Sequence, residues 1–360
     1  MHLKATQQYG QSIWLDFIRR DLITSGQLKQ LVEDGLRGMT SNPTIFHKAI
    51  TQSNDYDDAL KAILQSNPGA DVNAIYEHLA IEDIQMGADT LRPVYDATDG
   101  VDGLVSLEVS PYLADDTPGT ITEARRLWRL VDRPNVMIKV PSTTEGISAI
   151  ETLIAEGINI NITLMFSMKH YEVVSQAYVR GIARNEKPKQ ISSVASFFVS
   201  RVDTYVDREL EKIGTEEALA LRGKAAVANS KLVYRRFREV FSGEEFAAQR
   251  ERGARTQRVL WGSTSTKNPA YSDLLYVEEL IGPDTVNTIP LETLDDFRDH
   301  GKIRPSLQEK IAEAEKVLDN LEKLGINLDD ITEQLQKDGV KAFADSFDQL
   351  LGALEEKRKR

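Results

Sequence analysis

No cysteine occurs in the 360 residues, which removes disulfides, thiolate catalysis and cysteine-ligated zinc together. No G-x-G-x-x-G or G-K-[ST] loop is present, and the five histidines are scattered, so the patterns of nucleotide binding and of a histidine-rich metal centre are both missing. Positive charge is in deficit: the formal net charge is -12, which repels polyanions at long range and speaks against nucleic acid or an anionic membrane as the main partner. Any phosphate group has to be met by locally placed cations. No apolar run reaches membrane-spanning length, and the opening MHLKATQQYGQSIWLDF lacks a basic start followed by a long apolar stretch. A soluble cytoplasmic protein is the expectation.

With 41% hydrophobic residues, a chain of this length buries a full core. Short apolar runs alternate with longer amphipathic stretches, the pattern of repeated βα units around a parallel sheet. Eight strands are expected: SIWLDF near residue 12, LRGMTSN at 36, GLVSLEVS at 103, VMIKV at 136, NINITLMFS at 159, SVASFFVS at 193, RVLWGS at 258 and TVNTIP at 285. Stretches such as ITEARRLWRLV, ISAIETLIAEG and MKHYEVVSQAYVRGIAR repeat apolar residues at three-and-four spacing and read as helices. Thr120 with Glu123 and Ser142 with Glu145 have the spacing of capping boxes that start two of them. The expected fold is an α/β (β/α)₈ TIM barrel forming one domain over 1–360. Its strands span about 12–290, and added helices fill about 291–360 and pack on the barrel. The terminal EEKRKR reads as a basic helix end that complements the helix dipole and finishes in solvent.

Strands buried on both faces are nearly all apolar, so an ionisable residue within one needs a reason. Lys139 lies in Val-Met-Ile-Lys-Val-Pro. It is either a lysine snorkelling from a strand end or, if it points into the barrel mouth, a Schiff-base nucleophile whose pKa desolvation and cationic neighbours would lower. Asp16 in Ile-Trp-Leu-Asp-Phe and Glu108 in Ser-Leu-Glu-Val-Ser fall late in their strands, where barrel active sites are built. They suit the proton transfers that Schiff-base chemistry requires, and a carboxylate capping a neighbouring helix is the alternative for either. Asn161 and Thr163 are two apart on a strand and share a face, with Ile160, Ile162 and Leu164 on the other. Asn42, held extended by Pro43, offers an amide at the end of strand two, or simply forms a turn. Ser196 and Arg201 end strand six, while Thr264 and Lys267 follow strand seven, near where many barrels bind phosphate.

At these residues the chain resembles the transaldolases, and looks most like their longer bacterial branch, sometimes called the second subfamily. The carrying motifs, in order, are WLD around Asp16, TSNPT around Asn42, LEVSP around Glu108, IKVPST around Lys139, NITLMFS around Asn161 and SFFVSR from Ser196 to Arg201. The resemblance implies a dihydroxyacetone Schiff base on Lys139. It further implies a water positioned by Glu108 and Thr163, and Asp16 exchanging the proton of the cleaved carbon–carbon bond. Asn42, Asn161 and Ser196 would hold the dihydroxyacetone hydroxyls, and Arg201 the distal phosphate. The implied reaction converts sedoheptulose 7-phosphate and glyceraldehyde 3-phosphate reversibly into erythrose 4-phosphate and fructose 6-phosphate, in the non-oxidative pentose phosphate pathway, without a cofactor.

The chain departs from the family pattern at WGSTSTKN, where many relatives have G-A-S-F-R-N; here Thr264 or Ser265, with Lys267, stands in. Shorter relatives, the fructose 6-phosphate aldolases, commonly carry tyrosine where this chain has Phe198, which makes Phe198 a substrate-side residue to follow. A barrel that only binds is the third reading, since fold alone does not fix function. The expected partners are sugar phosphates, with no nucleic acid and no membrane. An apolar helix face can pack on the barrel or on a second copy, so monomer and homodimer both stay open.

Overall fold

The structure, a computed structural model, describes residues 2–359. Eight parallel strands close in sequence order: β1 Gln11–Asp16, β2 Gly38–Thr40, β3 Leu104–Glu108, β4 Val136–Pro141, β5 Ile160–Met165, β6 Ser193–Phe198, β7 Arg258–Gly262 and β8 Thr285–Ile289. All eight expected runs become strands, and helices connect them. The fold is a (β/α)₈ barrel.

The two-residue repeat of a strand sorts the barrel interior into layers. Trp14, Leu104, Met137, Val194, Leu260 and Val286 pack together as an apolar plug, separate from the larger core between strands and helices. Gly38 lies beside the plug because a Cβ there would come within 2.5 Å of the Trp14 ring. Below it, Asp102 closes the N-terminal end by accepting from Ser12 Oγ at 2.7 Å and from Arg258 at 2.9 Å. Two residues further along the same strands, above the plug, come Asp16, Thr40, Ser106, Lys139, Ser196 and Thr288. The polar layer thus lies at the C-terminal ends of the strands, where barrel loops converge.

The alternation breaks once. In β5 the pairing with β6 shifts between Ile162 and Met165, and Leu164 adopts φ +64°, a left-handed conformation that is uncommon for a residue with a side chain. The bulge is tied in place, since the Leu164 carbonyl accepts from Ser142 Oγ at 3.0 Å and from Gln336 Nε2 at 3.1 Å. The simple inside–outside assignment of Leu164 expected from the run therefore gives way to a kink just after Thr163.

Helix starts differ from the expected capping boxes. Asp116 caps Thr117–Val131 by accepting from Gly119 N, and Thr143 caps Thr144–Ala155 by accepting from Gly146 N. Thr120 instead gives its hydroxyl to the Leu113 carbonyl and Ser142 to that of Leu164, so neither is free to cap. After β8 the described residues are helical or loop, as expected, but the last helix, Leu328–Arg358, does more than cover the outside of the barrel. It crosses the C-terminal mouth: Gln336 bonds Ser142 and Leu164, Ser346 accepts from Thr44 at 2.8 Å, and a Cβ on Gly339 would sit 2.8 Å from Leu164. Its basic end is anchored rather than free in solvent, with Lys357 bonding Ser53 and Asp57, and Arg358 the Ala70 carbonyl. Among the described residues no helix is long and apolar enough to cross a membrane.

Candidate active site

Lateral register brings three of the singled-out side chains into one row. Glu108 of β3 pairs with Lys139 of β4, and Lys139 with Asn161 of β5. Lys139 is only 4% exposed, which rules out the snorkelling reading. Its ammonium donates to the Ser41 carbonyl at 3.2 Å, stands 3.6 Å from Glu108 Oε2 and lies 5.6 Å from the centre of the Phe343 ring. The nearest charged neighbour is thus a carboxylate, where the sequence reading anticipated cations.

Asn161 is locked in a chain of bonds: its amide donates to Ser106 Oγ at 2.9 Å, and Ser196 Oγ donates to its carbonyl oxygen at 2.6 Å. Asp16 accepts from Thr40 Oγ1 at 2.8 Å, and that hydroxyl also lies 2.7 Å from Thr288 Oγ1. Asn42 is extended and its side-chain oxygen caps helix Pro43–Thr51, so the helix-cap and site readings coincide in one residue whose amide nitrogen is left for the cavity.

These residues line a cavity of about 140 Å³ with Asp16, Thr40, Asn42, Lys139, Asn161, Ser196, Phe198, Arg201, Ser263, Ser265, Lys267, Thr288 and Phe343 on its wall. Glu108 faces a larger neighbouring cavity of about 460 Å³, outside β3, so it stands between the two. Thr163 is fully buried beside the row. Two buried oxygens here, Glu108 Oε2 and Thr163 Oγ1, have no hydrogen-bond partner among the described residues.

Burial sets the electrostatics. Desolvation pushes the Glu108 carboxyl up to about 7, against the opposing pull of Lys139. Desolvation also raises Asp16, although Lys139, Thr40, Arg201 and Lys267 all favour its charged form. The guanidinium of Arg201 lies over the Phe198 ring at 5.2 Å, and burial lowers its pKa. Burial, with the positive charges of Arg201 and Lys48, lowers that of Lys267. Neither Arg201 nor Lys267 has a carboxylate within ion-pair distance among the described residues, so the cavity holds two cations suited to an anion.

Thr264 is turned away. It is fully buried and gives its hydroxyl to Asn287 Oδ1 at 2.9 Å, whereas Ser265, the alternative left open by the sequence, lines the cavity and accepts from Lys267 at 2.6 Å. Sequence reasoning also passed over Thr40, Ser106, Thr288 and Phe343. The first three carry a signal, each being a hydroxyl two positions after an inward residue; Phe343 carries none, because an apolar residue at helical spacing reads as core.

The arrangement is that of a lysine-centred barrel enzyme: a buried amine with one carboxyl of raised pKa 3.6 Å away, and a second such carboxyl and two cations on the cavity the amine lines. Residues 13–354 match the family described as Transaldolase/Fructose-6-phosphate aldolase, and the chain belongs to that family. It is 49% identical to a transaldolase of Thiobacillus denitrificans over 356 residues, covering 98% of this chain and 99% of the relative. It is 50% identical to a transaldolase of Acidothermus cellulolyticus over 351 residues, covering 96% and 94%. A protein of Nostoc named Transaldolase 2 is 43% identical over 374 residues, covering 99% and 98%.

Proposed function

We propose that this site transfers a dihydroxyacetone unit between sugar phosphates through a Schiff base on Lys139. The chain is a transferase of the transaldolase type. The observation that carries the reading is the buried Lys139 amine, 3.6 Å from Glu108, opening on a cavity that also holds Asp16 and the two unpaired cations Arg201 and Lys267.

In the forward direction the Lys139 amine adds to the C2 ketone of sedoheptulose 7-phosphate, and loss of water leaves an imine. Glu108, with a pKa near neutrality, is suited both to give a proton to the departing hydroxyl and to take one from attacking water on the return. The unpaired oxygens of Glu108 and Thr163 offer that water two hydrogen-bonding positions. Asp16 takes the proton of the C4 hydroxyl as the C3–C4 bond breaks. Erythrose 4-phosphate leaves, and the electron pair stays on the Lys139-bound three-carbon unit as an enamine. Attack of that carbon on the aldehyde of glyceraldehyde 3-phosphate, with Asp16 returning the proton, makes fructose 6-phosphate after hydrolysis. Asn42, Asn161 and Ser196 hold the donor hydroxyls, Phe198 forms an apolar wall, and Arg201 and Lys267 take the phosphate.

Phe343 and Phe198 put apolar surface beside the bound unit, which favours waiting for an aldehyde over release by water. The pentose phosphate pathway in the cytoplasm is the setting this chemistry fits. The test is release of glyceraldehyde 3-phosphate from fructose 6-phosphate, read by a coupled dehydrogenase, with and without erythrose 4-phosphate. Release that depends on the acceptor is expected; equal release without it would make the enzyme an aldolase, and none under either condition would leave a binding scaffold.

A further inference from the structure

The loop after β7 carries Lys267, yet its footing lies outside the cavity. Two tyrosines that follow it, Tyr271 and Tyr276, reach back to helix Ser200–Ile213, whose first turn carries Arg201. The Tyr271 hydroxyl donates to Asp207 Oδ2 at 2.7 Å, and that of Tyr276 to Asp203 Oδ2 at 2.9 Å. Asp203 and Asp207 are four apart, so they stand on one face of the helix. Their other oxygens are engaged as well, accepting from Ala226 N at 2.7 Å and Gly223 N at 3.0 Å. Each carboxylate therefore joins three segments, and both are buried. Gly223 has φ +70°, and a Cβ there would lie 2.8 Å from the Tyr271 ring, so the third segment packs closely on that tyrosine.

The loop needs such a tie. Lys267 and Arg201 share a cavity and repel each other. Bonds between Ser200 and Ser263, at 3.0 Å, and from Thr264 to Asn287, at 2.9 Å, fix the beginning of the loop, while Thr266, beside Lys267, bonds only forward to the Ser272 and Asp273 carbonyls, in the segment that the two tyrosines anchor. On its outer side a second cavity of about 190 Å³, walled by Asp203, Asp207, Tyr271, Tyr276 and Lys267 itself, leaves the lysine room to withdraw.

We infer that the Tyr271–Asp207 and Tyr276–Asp203 bonds are a clasp that keeps Lys267 on the cavity wall it shares with Arg201. The four are positioning residues for the phosphorylated end of the substrate, and the inference rests on reading the two cations as the phosphate site.

The experiment compares Tyr271→Phe, Tyr276→Phe, the double variant and Lys267→Ala. For each, KM and kcat are measured with fructose 6-phosphate, kcat/KM with unphosphorylated fructose, and Ki for inorganic phosphate. The double variant is expected to raise KM for fructose 6-phosphate and Ki for phosphate about tenfold, with kcat within about twofold and fructose turnover unchanged. Should the double variant fail to fold, Tyr271→Phe, at the more exposed tyrosine, reads the same quantities with a smaller change. Elevated values in Lys267→Ala but wild-type values in the tyrosine variants overturn the clasp alone. An equal fall with both donors also overturns it, because it reports general loss of structure. Wild-type KM and Ki in Lys267→Ala overturn the phosphate site, and the clasp with it.

Discussion

Replacing Glu108 with glutamine keeps the shape and removes the charge, and its effect on stability has a sign and a size. The carboxyl is held at about 7 against an ordinary 4.5, so the folded protein binds its proton more tightly than the unfolded chain does. The stabilising contribution of the protonated group is complete below 4.5 and is lost as pH rises through 7. The interval from 4.5 to about 7 corresponds to roughly 3 kcal/mol at pH 8, at about 1.4 kcal/mol per pH unit. Glutamine does not titrate, so Glu108→Gln should gain on the wild type by up to that amount between pH 4.5 and 8. Asp83 and Asp203, raised to about 6 and about 7, titrate in both proteins and cancel in the difference. Urea unfolding of the two proteins across that range is the assay. In the same variant kcat should fall by roughly 10²–10⁴, the usual contribution of a general acid–base group. A stability difference independent of pH would refute the burial argument for Glu108.

Three further outcomes are expected. Asp16→Asn should still form the Schiff base but slow carbon–carbon cleavage by about 10²-fold or more, seen as covalent trapping without aldehyde release. Phe343→Ala should raise acceptor-independent release of dihydroxyacetone, since it strips the ring from above Lys139; a rate unchanged from wild type would remove the last helix from control of water. Gly339→Val should lower the melting temperature, because its first carbon already lies 2.8 Å from Leu164, and an unaltered transition would contradict the close approach of that helix to the mouth.

The strands were legible because a barrel strand is buried on both faces, and its polar residues then stand out against an apolar run. Asp16, Glu108, Lys139 and Asn161 each break such a run, and register alone places three of them side by side. What stayed hidden depends on atoms distant in sequence. The kink at Leu164 is stabilised partly by Gln336, 172 residues away, and nothing in NITLMFS announces it. Phe343 comes over Lys139 because the final helix turns across the mouth, a path its apolar spacing does not specify. The choice between Thr264 and Ser265 follows from Ser263, which takes φ +55°, and from Asn287 offering a buried acceptor. Thr120 and Ser142 had the right spacing for caps but found carbonyls nearer than the helix amides.

The central claim is that Lys139 carries the substrate. Borohydride reduction of the enzyme with fructose 6-phosphate, followed by peptide mass analysis, should add one reduced dihydroxyacetone unit to the peptide containing Lys139. The Lys139→Arg variant should take up none, since a guanidinium does not form the imine. Undiminished trapping in that variant, or a label on any other lysine, would contradict the account.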